Sequence, residues 1–381
     1  MGHASDHSEA GRRGQLPVKA FRARSARALS GLLIPLSVVP LVLVAPLIAE
    51  SYRNFDRRHK SAPLPATELR LTAMQKRRFA PVAPFRGAIP VLSYHGIGAH
   101  GDGHSVTRRV FSEQMAALHH MGFRAISLEQ YVRFRRGQLG GLPERPVLIT
   151  FDDGRLDSYR GADLTLARFG FRAVMFVNTD QPGREHPLYL TWKELHAMSD
   201  SRRWEVQPQA HEGHIRVALD ARGHTGPFYA ARRFTRSEGR ESFADYEQRV
   251  TSDVFAAKEA VEEQGFAARA FAVPYGDYGQ RSGNDPRIAP FMRDFLGRQF
   301  EAVFVEDERN APGYSRPWGV AERYRVHRET TTDRLYVWLR DNSPEWLERR
   351  AKARRAQARR VKRGRADAGR AQTRRERNRS R

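Results

Sequence analysis

Two adjacent carboxylates, Asp152 and Asp153, close the apolar run Val-Leu-Ile-Thr-Phe and are followed at once by Gly154. Neighbouring side chains on a strand point to opposite faces, so an acid pair shares one pocket only where the strand ends. There it suits a metal ligand beside a general base. The competing expectation is an ordinary Asp-Gly turn. Further polar residues fall at the ends of apolar runs. His95 follows IPVLSY, His211 and His214 lie past the run that opens at Trp204, Pro274, Tyr275 and Gly276 follow Phe-Ala-Val, and His327 follows Tyr-Arg-Val. The shared position at strand ends separates this set from scattered surface histidines. Cysteine is absent, so any metal must be held by His, Asp or Glu. Two histidines and one carboxylate leave a coordination position open for water, whose pKa a bound metal lowers to about 7. A second, unligated carboxylate can take that water's proton. Asp152 and Asp153 would divide those roles.

The elements that must position these residues alternate. Short apolar stretches at 89–94, 147–151, 173–177, 204–207, 270–273, 302–305 and 324–326 predict strands. Between them, helical spacing at Phe111, Met115 and Leu118, capping boxes at Ser127–Gln130 and Thr191–Glu194, and apolar periods over 158–169, 243–263 and 333–339 predict helices. Strands separated by helices imply parallel pairing and an α/β body. About seven such units fit a distorted (β/α) barrel, in which chemistry gathers at the C-terminal ends of the strands. The Gly- and Arg-rich stretch 220–241 reads as a long loop over one rim.

Charge divides the chain. Of the net +23, residues 349–381 carry +14 and residues 1–60 carry +6, leaving +3 for 61–348. The high pI is therefore a property of the ends. Residues 28–49 are 22 uncharged, mostly apolar positions, long enough to span a bilayer. Six basic residues precede them and four follow, which favours the N-terminus inside; a cleaved signal peptide is the alternative. The expected organisation is a basic cytoplasmic segment 1–27, a transmembrane signal-anchor 28–49, a linker 50–87, a folded domain 88–345 outside the cytoplasm and an Arg-rich tail 346–381, disordered or helical. Placed outside, the tail would meet anionic wall polymers or lipid head groups rather than a specific nucleic acid.

The ordered set TFDDG, a downstream His loop and FAVPYG resembles the polysaccharide deacetylases with a NodB homology domain, in particular their poly-N-acetylglucosamine branch. The resemblance covers about residues 88–339. It implies hydrolysis of N-acetyl groups on an amino-sugar polysaccharide at a divalent metal, zinc first, with cobalt, nickel or iron as alternatives. By position it implies Asp152 as general base, Asp153 and His214 as metal ligands, the Tyr275 backbone N–H in an oxyanion hole, and His327 as catalytic acid. His95, Pro274 and Gly276 fall to substrate binding. The third ligand is open: the spacing offers His211 at i, i+3, whereas the branch's own spacing of five lands on Gln209. The arginine that many members place before Pro-Tyr to orient the base is absent, Arg269 standing earlier in the strand. Two other readings follow from the residues: a catalytically impaired glycan-binding protein, and a polyanion-binding protein acting through the tail.

Overall fold

The computed structural model describes residues 62–341, except 67–68, 83, 85–87, 99–102, 185–186 and 307–319, together with Lys352. The expected anchor, its basic flanks and, Lys352 apart, the Arg-rich tail lie outside these residues. Among the described residues no helix is long and apolar enough to cross a membrane. The chain divides into Met1–Ala62 and Pro63–Arg381, and the second unit carries the fold.

Seven strands make a nearly closed parallel barrel: β1 Val91–Tyr94, β2 Pro146–Phe151, β3 Ala173–Asn178, β4 Trp204–Ala210, β5 Ala270–Ala272, β6 Ala302–Glu306 and β7 Ala321–Arg325. Their spatial order is β5-β6-β7-β1-β2-β3-β4, every pairing parallel. This is the seven-unit barrel expected from the alternation. The helices are α1 Arg108–His120, α2 Leu128–Arg135, α3 Leu156–Phe169, α4 Trp192–Asp200, α5 Phe243–Glu263, α6 Ile288–Gln299 and α7 Thr332–Asp341. Both expected capping boxes form, at the starts of α2 and α4.

Strand β2 is buried along its whole length, as a parallel strand covered on both faces must be. Its period of two sends Val147, Ile149 and Phe151 to one apolar cluster, with α1 and α3, and Leu148 to another. That second cluster takes Val91, Val174, Phe176, Ala270, Ala272, Ala302, Phe304 and Ala321 from five more strands. The four alanines leave room inside the ring for larger side chains, which the site uses.

The ring has one joint without a ladder, between β4 and β5, and a single side chain bridges it. Gln207 Oε1 accepts from Arg269 N at 2.8 Å and Ala270 N at 2.7 Å, while its Nε2 donates to the Ala267 carbonyl at 2.8 Å. Gln207 is buried, so these groups have no ready substitute in water.

Three regions differ from the sequence expectation. Helix α6 was not foreseen because Pro290 and Gly297 punctuate it; proline is tolerated in a first turn, and Ile288, Met292, Phe295 and Leu296 are buried. The stretch expected as one loop holds strands: Thr225–Pro227 pairs with Arg216–Ala218 just before it, and Phe234–Thr235 pairs with Gly239–Arg240. The expected linker contains the helix Ala73–Arg78, capped by Thr72, and its neighbours Leu71, Phe79 and Val82 join the core.

Replacing Gln207 by Leu leaves the buried Ala270 N–H without a partner, while Arg269 N and the Ala267 carbonyl keep only their bond to each other at 3.0 Å. At 1–3 kcal/mol per unsatisfied buried group, we expect a loss of roughly 1–3 kcal/mol in urea denaturation.

Candidate active site

The C-terminal rim is organised around an ion pair. Asp152, at the end of β2, lies on the same face as Leu148 and Thr150, toward the interior. From β7, Arg323 reaches it through both guanidinium arms, Nη1 to Oδ1 and Nη2 to Oδ2, each at 2.6 Å. The Arg323 side chain has no exposed surface. Its Nη1 also donates to Thr150 Oγ1 at 3.1 Å, and its guanidinium lies 5.4 Å from the Phe176 ring centre. Burial alone would lower the pKa of Arg323, but the Asp152 carboxylate outweighs it, and the guanidinium stays charged. A bidentate arginine fixes a carboxylate in one plane, as the positioning of a general base requires.

Glu306, at the end of β6, extends the network. It accepts from Ser93 Oγ at 2.6 Å and lies 3.9 Å from Arg323 and 3.5 Å from Arg325. Donor atoms of His95, Asp152 and Glu306 lie within 4.8 Å of one another, the only such potential metal-binding group among the described residues. Both carboxylates already face Arg323, however, and a divalent cation placed there would work against that guanidinium. His95 Nδ1 is buried without a hydrogen-bond partner.

Asp153 turns out of the strand in the left-handed region, at φ 72°. Its backbone N–H donates to Gln209 Oε1 at 2.9 Å, which secures the turn from β4. Its Oδ1 is buried without a hydrogen-bond donor and lies 3.3 Å from His214 Nδ1. Asn178, displaced by a bulge at the end of β3, places Nδ2 2.8 Å from the same nitrogen. His211 is turned elsewhere: its Nδ1 is 3.0 Å from Thr179 Oγ1. The loop is pinned by buried Asp253 of α5, which accepts from His211 N at 3.1 Å, Glu212 N at 2.7 Å and the Tyr229 hydroxyl. A Cβ on Gly213 would come within 2.7 Å of Asp253 Oδ1, so the loop can pass only with glycine there.

Pro274, Tyr275 and Gly276 form one tight turn after β5, with Tyr275 at φ 58° and Gly276 at φ 60°. A Cβ on Gly276 would meet Glu306 N at 2.6 Å, so this turn depends on glycine to lie against β6. The Tyr275 ring packs edge-on to His214 with centroids 4.9 Å apart, and its hydroxyl donates to the His214 carbonyl at 3.3 Å. Burial pushes the pKa of that hydroxyl up, so it remains protonated near neutrality.

The structure thus gathers Asp152, Asp153, His214, His95 and the Tyr275 turn around the ends of β1 to β5. It does not bring His211 to the Asp153 carboxylate. It turns the His327 ring to Glu329, with Nδ1 2.8 Å from its carboxylate. Arg269 lies at the opposite end, paired with Glu301 at 2.6 Å and with Glu129. The residues missed in the sequence are Arg323, Glu306 and Asn178. The only available signal for Arg323 was a charged residue in the interior phase of a short strand.

Burial favours the neutral form of Glu306, but His95, Arg323 and Arg325 outweigh it and hold the carboxyl below the usual glutamate range. With the lower pKa in the folded state, ionised Glu306 adds stability above the unfolded value of about 4.3, and that contribution disappears as pH falls through the folded value. Glu306→Gln should therefore flatten the acid limb of the denaturation midpoint plotted against pH. Arg323→Met, which strands two buried carboxylates, should cost about 3–5 kcal/mol in the same assay, with Asp152→Asn recovering part of the loss.

Comparison with known proteins agrees with this arrangement. Residues 140–287 match the polysaccharide deacetylase family. Over 190 residues the chain is 26% identical to the poly-beta-1,6-N-acetyl-D-glucosamine N-deacetylase of Escherichia coli K12. That match covers 45% of this chain but only 28% of the relative. Among solved structures, a de-N-acetylase from Aggregatibacter actinomycetemcomitans superposes with a TM-score of 0.56 at 20% identity, covering 66% of this chain and 99% of that one. The BpsB deacetylase domain from Bordetella bronchiseptica superposes with a TM-score of 0.50 at 25% identity, covering 63% and 96%. The parallel barrel, the TFDDG turn at its rim and the family match agree: residues 140–287, which carry that turn, are similar to the polysaccharide deacetylases.

Proposed function

We propose that this protein hydrolyses N-acetyl groups on an amino-sugar polysaccharide outside the cytoplasm, releasing acetate with the help of a divalent metal. The observation that carries this reading is the buried Arg323–Asp152 pair, which presents an oriented carboxylate beside Asp153, His214 and His95. The family match and the N-deacetylase among its relatives support the reaction class.

The metal's fit rests on Asp153. A buried carboxylate oxygen without a donor, facing an imidazole nitrogen at 3.3 Å, is a donor set suited to a divalent cation. Asp153 and His214 would hold it, with zinc favoured and cobalt, nickel or iron possible, and His211 or Gln209 would complete the set. When bound, such an ion polarises the acetamide carbonyl and acidifies water. Asp152 takes the proton of the attacking water, and Arg323 holds its carboxylate in that plane. The Tyr275 backbone N–H, with Pro274 and Gly276 shaping its turn, steadies the developing oxyanion. His95, whose ring shares space with Asp152, donates the proton to the departing amine; His327, held by Glu329, is the weaker candidate for that role.

The apolar run 28–49 and its basic flanks support a single-pass anchor with the domain on the outer side, and the Arg-rich tail supports contact with anionic wall polymer or lipid head groups. A second reading, a glycan-binding protein without turnover, draws on the His211 ring being turned to Thr179.

The full-length protein in detergent should release acetate from N-acetylglucosamine oligomers, and Asp152→Asn should lose about 100-fold or more in kcat. His95→Ala should fall much further than His327→Ala. Asp153→Ala and His214→Ala should each lower bound divalent metal in elemental analysis. Folded protein that retains no metal and releases no acetate would instead establish the second reading.

A further inference from the structure

Several buried or half-buried arginines of this domain are spent on carboxylates: Arg323 on Asp152, Arg203 on Asp163, Arg232 on Asp285, Arg249 on Glu241 and Arg155 on Asp157. Two exposed arginines beside the candidate site are not, and both converge on Tyr275. Arg216, two residues past His214, places its guanidinium 6.0 Å from the Tyr275 ring centre. It is held there by neutral acceptors only, Nε to Thr225 Oγ1 at 3.0 Å and Nη2 to the Thr225 carbonyl at 2.6 Å. Arg281 donates Nη2 to the Tyr275 carbonyl at 2.6 Å and Nη1 to the Glu306 carbonyl at 3.1 Å. Asp277 receives the Arg281 backbone N–H, not its guanidinium. Among the described residues neither guanidinium has a carboxylate within ion-pair distance. Two positive charges are thus oriented in advance, without a carboxylate partner, beside the tyrosine that packs on His214. Tyr275 itself is 38% exposed, and Ile215, next to Arg216 in the chain, is 51% exposed.

An apolar shelf flanked by uncompensated guanidinium groups matches an acidic sugar. The C–H face of a pyranose lies on the tyrosine ring and isoleucine, and an anionic substituent meets the planar N–H edges. We infer that the substrate is an acidic N-acetylated glycan, in which a carboxylate or phosphate borne near the acetamido unit is read by Arg216, with Arg281 adding to the field. This rests on the deacetylase reading of the same site and adds the chemical class of its substrate.

The test uses the full-length protein and two probes, a tetramer of N-acetylglucosamine and the same tetramer with its C6 hydroxyls oxidised to carboxylates. Acetate release should show kcat/KM about fivefold higher for the oxidised tetramer at low ionic strength, a preference that shrinks with added salt. In Arg216→Gln the ratio should fall toward one, while Arg216→Lys, which keeps the charge without the fork, should retain an intermediate, salt-sensitive preference. Equal kcat/KM for the two tetramers, or an undiminished ratio in Arg216→Gln, overturns the inference while leaving the deacetylase reading intact. If neither tetramer releases acetate, that reading fails, and calorimetric binding decides the inference alone. Tighter, salt-sensitive binding of the oxidised tetramer that Arg216→Gln abolishes supports it, and equal binding overturns it. A phosphorylated tetramer bound more tightly than the oxidised one would identify phosphate as the group read.

Discussion

The rim depends on a charge that the barrel keeps in its interior. Arg323 has no contact with water, so its desolvation must be offset by partners, and the barrel supplies them from four directions: both Asp152 oxygens, Thr150, the face of Phe176 and the more distant Glu306. Such an arrangement is no cheap source of stability, since a well-packed apolar core can be as stable. What it provides is direction. A carboxylate gripped by both arms of an arginine has one orientation. The small side chains Ala270, Ala272, Ala302 and Ala321 make the room for it, so much of the apolar interior is shaped by a polar requirement at the rim.

The loops beyond the strands are held by equally specific devices. Asp153 sits in a backbone region that costs a non-glycine residue energy, and the Gln209 carboxamide stabilises that turn from the neighbouring strand. Asp253 gathers two backbone N–H groups and a tyrosine hydroxyl under the His loop, which fixes the path of residues 211–214 and with it the direction each histidine takes. Tyr275 is set by the glycine that follows it. Strain and close approach collect at the rim, and the strands below are regular.

Much of this was legible in the sequence. The Asp-Asp-Gly turn, the seven strands and the capping boxes all follow from periodicity and local chemistry, because each depends on residues close together in the chain. What escaped was long-range. Arg323 lies in Ala-Glu-Arg-Tyr-Arg, which reads as a solvated edge; only the folded ring shows that its interior phase meets Asp152, 171 residues earlier. The spacing of His211 and His214 says nothing of ring direction, which Thr179 and Asp253 decide. Arg269 looked closer to Pro-Tyr than Arg323 does, yet it lies at the wrong end of its strand. Helix α6 was hidden by a proline and a glycine that a short helix can accommodate.

The joint between β4 and β5 carries one more consequence. Strand β4 leads to His214 and β5 to Tyr275, so the two residues in edge-on contact stand on opposite banks of the one place where no ladder runs. A ladder resists shear and separation along its whole length. Here the banks are tied below by one glutamine and above by a ring contact and one hydroxyl. The mouth of the barrel therefore has a compliant side and a stiff side. The carboxylates and their arginine belong to the stiff side, and the tyrosine and histidine border the compliant one. Asp152 and Arg323 are thus tied by ladders on both sides, away from the joint that Tyr275 and His214 border.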